Sequence, residues 1–263
     1  MTGRERIVEA FARAKANVGG ALIPYLCAGD PDGETSRRLL AAVSAAGADV
    51  LEVGIPYGDP LADGPTVAAA AQRALDAGMT TAGALGIMRD AAHAGAAPMI
   101  AFTYFNPVLQ YGIEKFADML VAAGACGAIV PDIPLEESLR IREVFAPRGL
   151  ALPLLVAPTT PPERAREIAR ASDGFIYVVS RLGVTSAKSE PDFGWIAARV
   201  ADLRTVSGLP IAIGFGISRP DHVKRAWEIA DGAIVGSALI DRYAGLQGEA
   251  AIDAASAFVR SLT

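Results

Sequence analysis

Histidine and cysteine are scarce in this chain. Its 263 residues hold two of each: His93 and His222, Cys27 and Cys126. Two histidines cannot build a multi-histidine metal centre. Neither stands beside a nucleophile motif, so neither points to a hydrolase triad. The cysteines lie far apart without CxxC spacing and read as free, buried thiols in a reducing compartment. A basic surplus is missing too. The net charge is −5, and no basic stripe marks a nucleic-acid surface. Phosphate recognition, if present, must then be local and rest on backbone N–H groups. The uncharged stretch 91–113 is broken by His93, Pro98, Asn106, Pro107, Gln110 and glycine, so it makes a poor membrane helix. Residues 1–20 carry Arg4, Glu5, Arg6, Glu9, Arg13 and Lys15 with no apolar run, unlike a signal peptide. The expectation is a soluble cytoplasmic protein.

Hydrophobic residues make up 52% of the chain and charged residues 20%, which suits a globular enzyme with a sizeable core. The length allows one large domain or two small ones. No linker, charge block or low-complexity run divides it, so a single domain over 1–263 is expected.

The chemistry concentrates in residues 51–66. Leu51, Val53 and Ile55 favour an extended strand, and Glu52 interrupts their apolar run. A carboxylate is costly to bury without partners, so a strand-interior Glu invites a functional reading. Gly54, Pro56, Gly58, Pro60, Gly64 and Pro65 then force a loop that carries Asp59 and Asp63. A buried acid and a nearby loop acid can supply a proton donor and a fixed anion at one point. Asp63 could equally do no more than cap the helix that follows.

Periodicity predicts helices over 5–15, 34–46, 66–77, 81–94, 112–123, 135–146, 192–206 and 222–230, with another opened by Thr160-Pro161-Pro162 and closing helices after 237. Between them come short apolar strands at 21–27, around 51–55, and at 99–104, 127–130, 151–156, 174–179, 210–213 and 232–235. Phe105-Asn106-Pro107 reads as the end of the third strand, and 180–190 as a loop. The strands are branched and continuous, as strands buried on both faces should be. Eight strand–helix units at this length fit an α/β fold, the (β/α)8 barrel, with an extra N-terminal helix. A doubly wound open sheet would more often place a glycine-rich turn after its first strand. Here the glycines cluster late.

In such a barrel the loops after the strands share the active face. That face would gather Asp30, Glu52, Asp59, Asp63, Asn106, Asp132, Arg181 and Thr185. Gly214-Phe215-Gly216 and Gly236-Ser237 would lie side by side after strands seven and eight. Their backbone N–H groups and the short helix after strand eight suit a phosphate. Ordinary turn chemistry is the simpler use of each pair alone. The residues themselves thus describe an enzyme for a small phosphorylated substrate, with Glu52 as its acid–base group.

The stretch around Glu52 and Asp63 closely resembles the signature of the tryptophan synthase alpha subunit. The likeness continues through Pro24-Tyr25-Leu26-Cys27-Ala28-Gly29-Asp30-Pro31, Pro131-Asp132-Ile133-Pro134, the segment from Tyr177 to Thr185, Gly214 to Ser218 and Val235-Gly236-Ser237. It spans essentially the whole chain in order. That family cleaves indole-3-glycerol phosphate to indole and glyceraldehyde 3-phosphate. The resemblance implies Glu52 as acid–base, Asp63 as the anion facing the indole N–H, and Tyr177 beside the acid. It implies Thr185 as the loop residue closing on Asp63, Phe215 in the indole pocket, and phosphate against Gly183, Gly214, Gly216, Gly236 and Ser237. It implies no cofactor for this subunit; pyridoxal phosphate sits in a beta subunit dimer that receives the indole, and Asp59 and Pro60 would touch that partner. A stand-alone lyase, or a weakly active partner of a beta subunit, is also open. Gly58 stands where the family usually has a small hydroxyl residue, and Ser186 where it usually has glycine.

Overall fold

The computed structural model describes residues 1–180 and 191–263. Helix α1 (Gly3–Val18) begins with a capping box, in which Thr2 and Glu5 satisfy each other's backbone N–H groups. The chain then alternates: β1 (Ala21–Cys27), α2 (Gly33–Ala45), β2 (Leu51–Gly54), α3 (Pro65–Asp76), α4 (Thr81–His93) and β3 (Met99–Phe102). It continues through α5 (Phe105–Tyr111), α6 (Ile113–Ala122), β4 (Ala128–Ile129), α7 (Leu135–Phe145), β5 (Leu155–Val156) and α8 (Pro162–Ala171). The last third holds β6 (Ile176–Val179), α9 (Phe193–Arg204), β7 (Ile211–Gly214), α10 (Pro220–Ile229), β8 (Gly232–Val235), α11 (Ser237–Tyr243) and α12 (Gly248–Leu262).

All eight strands are parallel, in the order β4-β3-β2-β1-β8-β7-β6-β5. The two ends of that row meet at a parallel bridge between Gly127 and Ala151. There the Ala151 N–H donates to the Cys126 carbonyl (2.8 Å) and the Ala128 N–H to the Ala151 carbonyl (3.0 Å). The sheet therefore closes on itself as the expected (β/α)8 barrel, and a closed barrel has no free edge. Helix α1 plugs its N-terminal end. Phe11 packs on Phe175 at the entry to β6, with ring centroids 5.4 Å apart. A Cβ on Gly232 would overlap the Phe11 ring, so the glycine makes that fit.

Two expectations need correction. Phe105-Asn106-Pro107 is not a strand end but the first turn of α5. Proline is tolerated there because first-turn N–H groups have no intrahelical partner. The fifth strand is not 151–156 but only Leu155–Val156. Pro153 cannot donate to a ladder, so pairing with β6 begins after it, and Ala151 serves β4's neighbour instead. The cysteines are free and buried. Among the described residues no helix is long and apolar enough to cross a membrane, and no group of three or more His, Cys, Asp or Glu side chains could hold a metal ion.

Candidate active site

Parallel pairing sets Tyr25 of β1 opposite Glu52 of β2. Tyr25, Glu52 and Tyr177 each stand two residues before the end of their strand, and all three line the same cleft. Glu52 is 2% exposed. Its Oε2 is buried and has no hydrogen-bond partner among the described residues. Burial first, and the nearby Asp63 carboxylate second, push its pKa up to about 8. At neutral pH this is a carboxylic acid holding its proton.

Asp63 lies in the loop between β2 and α3. Turn bonds from the Leu61 N–H to Asp59 (3.0 Å) and from the Asp63 N–H to Pro60 (2.9 Å) shape that loop. The N-cap of α3 is Gly64, with no side-chain cap bond, so Asp63 does not cap the helix. Burial raises its pKa to about 6, while the Tyr104 hydroxyl pulls it back down. That hydroxyl is itself fixed by the Ala62 N–H at 3.0 Å. The two carboxyls thus differ in kind: one holds its proton at pH 7, the other is mostly ionised.

Both line one cleft of about 450 Å3, open to solvent, together with Tyr25, Phe102, Tyr177, Phe215, Gly216, Ile234, Gly236 and Ser237. Phe215 is the one non-glycine residue at positive φ among the described residues (68°), and Gly216 follows at 85°. That conformation costs a side-chain-bearing residue about 1–2 kcal/mol. The Ser180 hydroxyl donates to the Phe215 carbonyl, and the Phe215 ring meets Tyr177 edge-on at 6.0 Å. Both contacts hold the turn. Gly236 and Ser237 open α11 beside it, after the neighbouring strand β8.

Other expected residues go elsewhere. Gly214 does not line the cleft; a Cβ there would overlap the Tyr177 hydroxyl, so this glycine seats the tyrosine. Asp30 is fully buried in a bidentate pair with Arg73 (2.7 and 3.0 Å). Asp132 accepts the Phe105 N–H at the start of α5 (2.9 Å), and Asn106 donates to the Tyr57 hydroxyl (2.8 Å). Asp59 is exposed and Pro60 half-buried on the outer loop. Arg181, Gly183, Thr185 and Ser186 lie outside the described residues. Sequence reasoning missed Tyr25, Phe102 and Tyr104 as cleft or supporting residues. Strand parity carried the signal, because the residue opposite Glu52 in a parallel barrel must share its inward face.

An eight-stranded barrel whose mouth pairs a protonated carboxylic acid with a more acidic carboxylate, beside glycine-rich turns after β7 and β8, defines an acid–base enzyme of the (β/α)8 class. Comparison narrows the class. The family model for the tryptophan synthase alpha chain matches residues 11–261. The tryptophan synthase alpha chain of Chloroflexus aurantiacus is 45% identical over 258 residues, covering 98% of this chain and 97% of the relative. That of Synechocystis is 48% identical over 244 residues, 92% of each. A structure of Mycobacterium tuberculosis tryptophan synthase superposes with a TM-score of 0.90 at 35% identity, covering 98% of this chain and 96% of its own. The chain belongs to the tryptophan synthase alpha chain family, and it is a lyase of that type.

Proposed function

We propose that this chain cleaves indole-3-glycerol phosphate to indole and glyceraldehyde 3-phosphate, with Glu52 as acid–base and Asp63 as the fixed anion. The observation that carries the assignment is the buried Glu52 carboxyl, whose Oε2 has no hydrogen-bond partner among the described residues, in the same cleft as Asp63. Breaking the carbon–carbon bond requires indole to leave as a neutral molecule. Glu52 first delivers its proton to indole C3. Positive charge then develops on the ring nitrogen, and the Asp63 carboxylate stabilises it. The Glu52 carboxylate next takes the proton from the side-chain hydroxyl as the bond breaks and the aldehyde forms. Glu52 ends in the state in which it began, so the proton balance closes without a cofactor.

Phe215, Tyr177 and Phe102 supply aromatic walls for the indole. Gly216, Gly236 and Ser237 offer a backbone surface for the phosphate, where side chains would stand in the way. By resemblance, Gly183 and Gly214 complete that surface and Thr185 would close over Asp63. Indole passes to a beta subunit dimer, which carries the pyridoxal phosphate and meets this chain at Asp59 and Pro60. The single domain spans the whole chain.

The test is indole release by purified variants. Glu52→Gln keeps the shape of the side chain and removes the proton, so turnover falls by about 10²–10⁴. Asp63→Asn lowers kcat by about 10²–10³ with KM nearly held. Near wild-type cleavage by Glu52→Gln would remove it from the chemistry. A rise in KM alone would make Asp63 a binding residue.

A further inference from the structure

The acid–base scheme leaves the Tyr25 hydroxyl without a task. Tyr25 is 7% exposed and lines the cleft between the two carboxyls and Gly236. Its ring is held edge-on by Phe102, with centroids 5.8 Å apart and planes at 89°. The side chain has a direction. Its Cβ end lies 3.6 Å from where a Cβ on Gly236 would stand, and its hydroxyl oxygen covers Gly54, which a Cβ there would overlap. Gly54 follows Glu52 by two residues on the same strand face, so the ring runs from the phosphate end of the cleft to the acid end. No hydrogen bond joins its hydroxyl to any described residue.

We propose that the Tyr25 hydroxyl hydrogen-bonds a glycerol hydroxyl of the substrate and so orients the carbon chain between the phosphate and the bond that breaks. This rests on the retro-aldol reading above. The glycerol chain must span the same two ends that the tyrosine spans. Its hydroxyls therefore pass along the ring and reach the phenol at the acid end. A phenyl ring would serve the apolar wall equally well. The hydroxyl is not among the buried polar atoms that lack a partner, and Tyr25 lines the cleft, so a substrate there can reach it and its hydrogen-bonding capacity is uncommitted among the described residues. Burial, with Cys27, Asp63 and Glu52 close by, holds the phenol protonated, so it can both donate and accept. A site built to bond a hydroxyl discriminates against the analogue that lacks it.

Tyr25→Phe removes the hydroxyl and keeps the ring. Two quantities are read in the wild type and the variant. One is kcat/KM for indole-3-glycerol phosphate. The other is the inhibition constant of the analogue whose indole and phosphate are joined by a plain propyl chain with no hydroxyls. The variant is expected to lose three- to tenfold in kcat/KM, about the worth of one hydrogen bond, while the analogue binds within twofold of wild type. An unchanged kcat/KM overturns the proposal, since the hydroxyl then faces only water. Equal losses for substrate and analogue also overturn it, since the effect is then packing. A wild type that releases no indole would fail the retro-aldol reading itself, whereas normal wild-type turnover with no selective loss fails Tyr25 alone.

Discussion

The acid–base role proposed for Glu52 carries a cost in stability. In the unfolded chain its carboxyl has the ordinary value near 4.5, and in the fold burial lifts it to about 8. Between those values the folded protein holds a proton that the unfolded chain has released. Stability from this group is therefore full below pH 4.5 and is lost as pH rises through about 8. Glutamine cannot ionise and escapes that loss. Glu52→Gln should gain on the wild type by up to about 1.4 kcal/mol for each pH unit across the window. Urea melts at pH 5 and pH 8.5 check this; a constant difference between them would place the carboxyl outside the core's electrostatics. Activity should follow the same groups from the other side. The wild-type kcat/KM should fall below about pH 6, where Asp63 protonates, and above about pH 8, where Glu52 loses its proton. The carboxyls interact, so these apparent values belong to the pair. An activity profile flat from pH 5 to 9 would contradict both roles.

Among the elements, the helices that flank the cleft are tied behind it. Asp30, after β1, receives the Arg73 guanidinium of α3, and Thr66 of α3 donates to Asp241 of α11 (3.1 Å). The loop of Asp63 and the turn of Gly236 lead into those same helices. Arg73→Leu leaves the buried Asp30 charge without its partner. We expect a loss of about 2–4 kcal/mol in chemical denaturation. It falls below the full cost of orphaning a buried charge because the guanidinium is 36% exposed. A loss under about 0.5 kcal/mol would mean that Asp30 takes up a proton at no cost. Strand and helix order was legible in the sequence because fully buried strands and amphipathic helices carry different periods. Glu52 stood out in the sequence because a lone acid inside an apolar strand has few structural uses, whereas Asp63, a loop acid before a helix, could equally have been a cap and was singled out only by the family resemblance. The shortness of β5 and the existence of α5 were not, since both turn on whether a proline falls where its missing N–H matters. The Asp30–Arg73 pair was hidden because 43 residues separate two charges that only barrel closure brings together. Gly214 has a structural use that was hidden for a related reason. Beside the phosphate contact proposed for it, its missing Cβ leaves the room that the Tyr177 hydroxyl occupies.

At the level of the whole molecule, the loop that delivers Asp63 also faces outward. Leu61, two residues earlier, is 76% exposed beside Asp59 and Pro60. An exposed leucine on a loop of short turns is well placed to be covered by a beta subunit. The bond from the Asp63 N–H to Pro60 would pass any ordering of the tip directly to the carboxylate. Gly58 loosens the same loop at its root, since glycine widens the backbone's choices. A Cβ at Gly58 would meet nothing within 4 Å, so a larger residue fits there without strain. The free subunit should then sample a poorly ordered loop and release indole slowly, and a beta subunit should raise the rate by shifting the population toward the ordered form. Gly58→Ser should raise the rate of the free subunit and shrink the activation ratio. Leu61→Asp should leave the saturated rate within reach but require roughly tenfold more beta subunit for half-maximal activation. Both are read from one titration of beta subunit against indole release. A free wild type already at its maximum, indifferent to any beta subunit and to both substitutions, would identify a lyase that works alone.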